Sequence, residues 1–140
     1  MAHARDMGSP QELVSRFYEE VLNQRRLEVL DALVAPEFVE HGTPPLVGRE
    51  AFRSFVTGLL EAFPDFRFTV DDWVAGADRV VARASAVGTQ RGEFLGFPPT
   101  GRPVSWTAIH IWRVEAELLA ERWSEADVLH IVEQLKDSDA

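Results

Sequence analysis

Within "VSWTAIHIWRV", residues 104–114, side-chain character switches at every second position. Val104, Trp106, Ala108, His110 and Trp112 share one parity; Ser105, Thr107, Ile109 and Ile111 share the other. A period of two is that of a β-strand, whose successive side chains point to opposite faces. The aromatic and β-branched content fits a pleated surface. Neighbouring segments supply partners. "FRFTVDDWVAG" reads as a strand, Gly76-Ala77-Asp78 as a turn and "RVVARASAVGTQ" as the antiparallel return. "LLAERWSEA" reads as the strand after the long one.

The first half of the chain has a different period. Ser9-Pro10 followed by Glu12 marks a helix start, and Leu13, Phe17, Val21 and Leu22 recur at helical spacing. "LEVLDALV" fits a second short helix ended by Pro36, and a short apolar strand precedes His41. After Gly48, "REAFRSFVTGLLEAF" sets Phe52, Phe55, Val56, Leu59, Leu60 and Phe63 on one helical face until Pro64 stops it. Asp127 to Leu135 fits a closing helix. Helices followed by a strand meander predict an α+β fold, with helices packed on one face of a curved antiparallel sheet. Such a sheet leaves a conical pocket beneath the helices. The expected organisation is a disordered leader over residues 1–9 and one domain over 10–137.

Composition narrows the function. A formal net charge of −9 and a pI near 4.8 disfavour nucleic acid and anionic membrane as partners. The absence of cysteine removes thiolate metal sites and a cysteine nucleophile. The histidines and acids lack i,i+4 zinc spacing, so no metal is expected. "GFPPTG" places two prolines where a phosphate loop needs backbone N–H groups. No apolar run approaches a membrane span and no signal-peptide core opens the chain, so the reading defaults to the cytoplasm.

Three stretches together, "GREAFRSFVTGLLEAFPDFRFTV", "GEFLGFPPTGRPVSW" and "HIWRVEAELLAERW…D…QL", resemble the SnoaL-like polyketide cyclases, small members of the nuclear transport factor 2-like superfamily. The resemblance runs from about Phe17 to Leu135. It implies a nuclear transport factor 2-like α+β barrel, an apolar small-molecule substrate, no cofactor and a homodimer through the outer sheet face. It implies a cyclase reaction in which a carboxylate takes an acidic proton and the enolate closes a ring, as in an intramolecular aldol step. Isomerases, epoxide hydrolases and non-catalytic binding proteins share the fold, so these stay open.

By the same resemblance His110 is the pocket imidazole; its alternative is a histidine satisfied within the core or a dimer face. The family's acid/base carboxylate falls on Ser124, whose hydroxyl cannot replace it unaided. With that acid missing, a pericyclic closure that needs shape and a hydrogen-bond donor enters as a variant. Asp127 matches a second acidic position and equally suits a helix cap. Arg122 shares the parity of Ser124: it either holds an oxyanion in the pocket or pairs with Glu121 or Glu125 on the surface. His41 is a candidate base at the pocket rim or a turn residue, and Glu40, of opposite parity, reads as solvated. A family tyrosine falls on Leu22, with Tyr18 one turn earlier as its substitute. Trp73, Trp106, Trp112, Phe63 and Phe94 are the candidate aromatic walls for substrate, with core packing as their alternative.

Overall fold

A computed structural model describes residues 9–42 and 44–136; the expected leader lies almost wholly outside them. Helix α1 spans Pro10–Arg16 and opens on the expected cap. Ser9 Oγ accepts from Glu12 N at 3.2 Å, and Ser9 N donates to Glu12 Oε1 at 3.1 Å. The helix then widens into a π-helix over Phe17–Asn23, burying Phe17, Tyr18, Val21 and Leu22. "LEVLDALV" forms only a 3₁₀ turn, Leu27–Val29, and the short α2, Leu30–Leu33. Strand β1, Val34–His41, starts before Pro36 instead of after it. Its pairing with the neighbouring strand shifts register between Val34 and Val39, and that irregularity accommodates a residue with no N–H to donate.

Strand β2 is Leu46–Val47, and α3 is Arg49–Ala62. The meander follows as β3 (Arg67–Ala75), β4 (Arg79–Thr89), β5 (Pro103–Glu115) and β6 (Leu118–Ala126). Helix α4, Val128–Lys136, closes the described chain. The six strands form one curved, open sheet in the order β2-β1-β6-β5-β4-β3. All pairs are antiparallel except β1 with β6, which run parallel. The sequence suggested an antiparallel sheet throughout; the parallel pair joins segments about 80 residues apart and leaves no local turn signal.

Strand β5 is the spine. Val104, Trp106, Ala108, His110 and Trp112 are buried under the helices, while Ser105, Thr107, Ile109 and Ile111 face outward. The core gathers Phe17, Phe38, Phe52, Phe63, Phe66 and Trp112 between sheet and helices. Two polar devices fix the loops around it. Gln90 is fully buried and serves as a template for "GFPPTG". Its amide donates to Gly92 O and Phe97 O and accepts from Thr100 N and Oγ1 at 2.7–3.1 Å. The Arg25 guanidinium binds the carbonyls of Phe63, Pro64 and Phe66, tying the end of the π-helix to the loop before β3. The β5–β6 turn at Ala116-Glu117 takes positive φ at both residues, 53° and 63°, without the glycine such a turn favours.

Candidate active site

Strand pairing builds the site in two rows. His110 of β5 lies opposite Ser124 of β6, and Trp112 lies opposite Arg122. Arg122 is in turn beside Glu40 of the parallel strand β1. All point beneath the helices, where a cavity of about 130 Å³ opens. His110, Arg122, Ser124 and Glu40 border it on the sheet side. Phe52, Phe66, Phe68, Phe94 and Trp106 supply most of its aromatic wall.

The hydrogen bonds define the state of His110. Trp112 Nε1 donates to Tyr18 Oη at 2.8 Å, because an indole N–H can only donate. The phenol oxygen accepts there, and it lies 2.7 Å from His110 Nδ1 with its own proton still available to donate. Arg122 Nη1, also only a donor, faces the same Nδ1 at 3.4 Å. Nδ1 is thus the acceptor nitrogen, and the proton of the neutral ring sits on Nε2. Nε2 has no hydrogen-bond partner among the described residues. Burial first, and then the positive charge of Arg122, push the imidazole well below its ordinary value near 6.5, which keeps it neutral. Burial likewise raises the Tyr18 phenol, so it keeps its proton. Phe68 stacks on the imidazole with centroids 5.5 Å apart and planes 6° from parallel, fixing its orientation.

This state has a consequence for stability. The folded pKa of His110 lies below its unfolded one, so the unfolded chain binds the extra proton first. The contribution is complete above about pH 6.5 and is lost as pH falls toward the folded value, by up to ~1.4 kcal/mol per pH unit. Urea midpoints between pH 7 and pH 5 should fall more steeply for the wild type than for His110→Asn. Equal slopes would mean that the ring takes up its proton in the folded protein as readily as in the unfolded chain.

Arg122 is buried, and its Nε donates to Glu40 Oε1 at 2.5 Å. The guanidinium carbon lies over the faces of Phe52 and Trp112 at 5.1 and 5.0 Å. Arg122 points inward, and its carboxylate partner is Glu40 in place of Glu121 or Glu125. Glu40 is only 7% exposed, which corrects its reading as solvated. The signal was present in parity: Glu40 lies two residues after Phe38, which is fully buried. Ser124 Oγ is buried and has no hydrogen-bond partner among the described residues.

The remaining candidates lie elsewhere. His41 is on the opposite face of β1, where its Nε2 meets Glu121 Oε2 at 2.6 Å and its ring stacks on Trp123. Asp127 is exposed and caps α4, accepting from His130 N at 3.2 Å. Trp106 and Phe94 border the cavity. Trp112 and Phe63 are fully buried in the core behind it. Tyr18 supports His110 from behind, and with Trp73 it borders a separate, shallower hollow that includes Asn23 and Arg67.

A helical layer over a curved open sheet, with an aromatic cavity between them, is the architecture of the SnoaL-like and nuclear transport factor 2-like proteins. The chain belongs to the SnoaL-like polyketide cyclase family, whose model matches residues 12–135. It is similar to a SnoaL-like polyketide cyclase, provisionally so named, from Jannaschia sp. CCS1: TM-score 0.86, 25% identity, 92% of each chain covered. TsrD from Streptomyces laurentii matches with TM-score 0.83 and 29% identity over 99% of this chain and 98% of that one. IdmH from Streptomyces antibioticus, provisionally named a polyketide cyclase, is 34% identical with TM-score 0.78, covering 91% of this chain and 98% of that one. No curated protein matches the chain in sequence. Among the described residues no helix is long and apolar enough to cross a membrane.

Proposed function

We propose that this protein is a cofactor-independent cyclase that closes a ring in an apolar, polyketide-like small molecule. The observation that carries the reading is a neutral imidazole, with its Nε2 proton unclaimed, at the wall of an aromatic cavity. Such a donor suits a carbonyl oxygen that gains negative charge as a bond forms to it or beside it. In low-dielectric surroundings one fixed N–H is worth far more than in water. The aromatic walls hold a flat chain folded back on itself, so its two reacting ends meet. Both aldol-type and pericyclic closure use these features.

The test is ring closure of an anthraquinone bearing a β-keto ester side chain, followed by chromatography. The wild type should accelerate closure over buffer, and closure no faster than in buffer would count against the reading. A second reading is ligand binding without turnover. The observation that favours it is the size of the cavity: about 130 Å³ is small beside the ~300–1,000 Å³ usual for ligand pockets. The family resemblance adds that the acid/base carboxylate falls on Ser124. Binding of the anthraquinone with no conversion would select it. Epoxide hydrolysis finds less support, because Glu40 is the sole carboxylate bordering the cavity among the described residues and that chemistry uses a pair. We extend the proposal to a homodimer through the outer sheet face, where Ile109 and Ile111 are exposed between polar neighbours.

A further inference from the structure

We propose that Glu40 is the proton-accepting carboxylate of this cavity, standing on the strand next to that of Ser124, where the family resemblance would put an acid; this rests on the cyclase reading. The other candidates exclude themselves by geometry. His110 Nδ1 is occupied and its Nε2 is protonated. Asp127 is an exposed cap, and His41 faces away from the cavity. The Ser124 hydroxyl is far too weak an acid to work as a carboxylate does. Glu40 borders the cavity and commits one oxygen, Oε1, to Arg122. Its other oxygen, Oε2, has no hydrogen bond among the described residues. Among the described residues, Arg49 Nε and Ser124 Oγ are the buried side-chain polar atoms with no hydrogen-bond partner, and Glu40 Oε2 is not one of them. Arg122 links the groups, with Nε on Glu40 and Nη1 at 3.4 Å from the imidazole. Carboxylate and guanidinium thus share one strand-paired row, and the imidazole stands in the adjacent row of the same wall.

This arrangement fits an uncharged 1,3-dicarbonyl compound. Glu40 Oε2 takes a proton from the carbon between the two carbonyls, and the C–H electron pair becomes an enolate. The His110 Nε2–H faces the enolate oxygen. The enolate carbon then bonds to a third carbonyl carbon of the same molecule, whose C=O π pair becomes an alkoxide. The alkoxide takes the proton from Glu40. Product and substrate are isomers, and the carboxylate is restored.

The experiment follows C2–H exchange of ethyl benzoylacetate in D₂O by proton NMR, beside the anthraquinone assay. The wild type should speed exchange over buffer, and Glu40→Gln should lower the enzyme-dependent rate about 100-fold. The double variant Glu40→Gln/Arg122→Met removes both charges together and should show the same loss while remaining folded by circular dichroism. Either folded variant exchanging within about threefold of the wild type overturns the role of Glu40. So does a wild type that closes the anthraquinone ring but does not speed exchange, and in both cases the cyclase reading stands. A wild type that does neither overturns both.

Discussion

Arg122→Met alone is expected to destabilise the protein by about 3–5 kcal/mol, a large part of the stability of a domain this size. The effect comes from what remains. Glu40 stays buried and its carboxylate loses its only hydrogen-bonding partner among the described residues. Glu40→Gln/Arg122→Met should be far milder, within about 1–2 kcal/mol of the wild type, because a neutral amide and a thioether replace two desolvated charges of similar volume. Urea unfolding of both variants at pH 7 checks this. Equal midpoints for the single and double variants would mean that water reaches the pair.

His110→Phe is expected to lower the kcat of ring closure about 10²–10³-fold, the cost of removing one fixed donor from a developing oxyanion. KM should move little, since the phenyl ring keeps the stack on Phe68 and the shape of the wall. Tyr18→Phe separates position from protonation. It leaves the imidazole in place but frees Nδ1 of its phenol donor, so both tautomers become available. An intermediate fall in kcat is expected there, and steady-state rates of the two variants on the anthraquinone give the comparison. A His110→Phe variant that keeps wild-type kcat would remove the imidazole from the chemistry.

Much of this site could be read along the chain. Strict alternation in β5 put Trp106, His110 and Trp112 on one face, and the parity of β6 put Arg122 and Ser124 on the same side. These are local properties of a strand, and no distant partner changes them. What the sequence concealed is long-range. The parallel pairing of β1 with β6 brings Glu40 beside Arg122 across 82 positions; parity with Phe38 hints that Glu40 is buried, but nothing local names its partner. A glutamate next to a loop defaults to solvent unless its partner is known. The π-helix over Phe17–Asn23 was also hidden, because Phe17, Val21 and Leu22 suit an ordinary helix equally well. Pro36 misled for a related reason. It ends helices by rule, yet here it lies inside a strand whose irregular pairing tolerates it.

The oxyanion role of His110 depends on one proton, that of Nε2. Nitrogen-15 NMR of the imidazole rings, with His110 assigned by comparison with His110→Phe, reads its position directly. A single neutral tautomer, Nε2–H with a bare Nδ1, should persist from pH 8 to below pH 6.5 while exposed histidines titrate. An Nδ1–H tautomer, or an imidazolium at neutral pH, would contradict the Trp112–Tyr18–His110 relay and with it the assignment of His110 as the oxyanion donor.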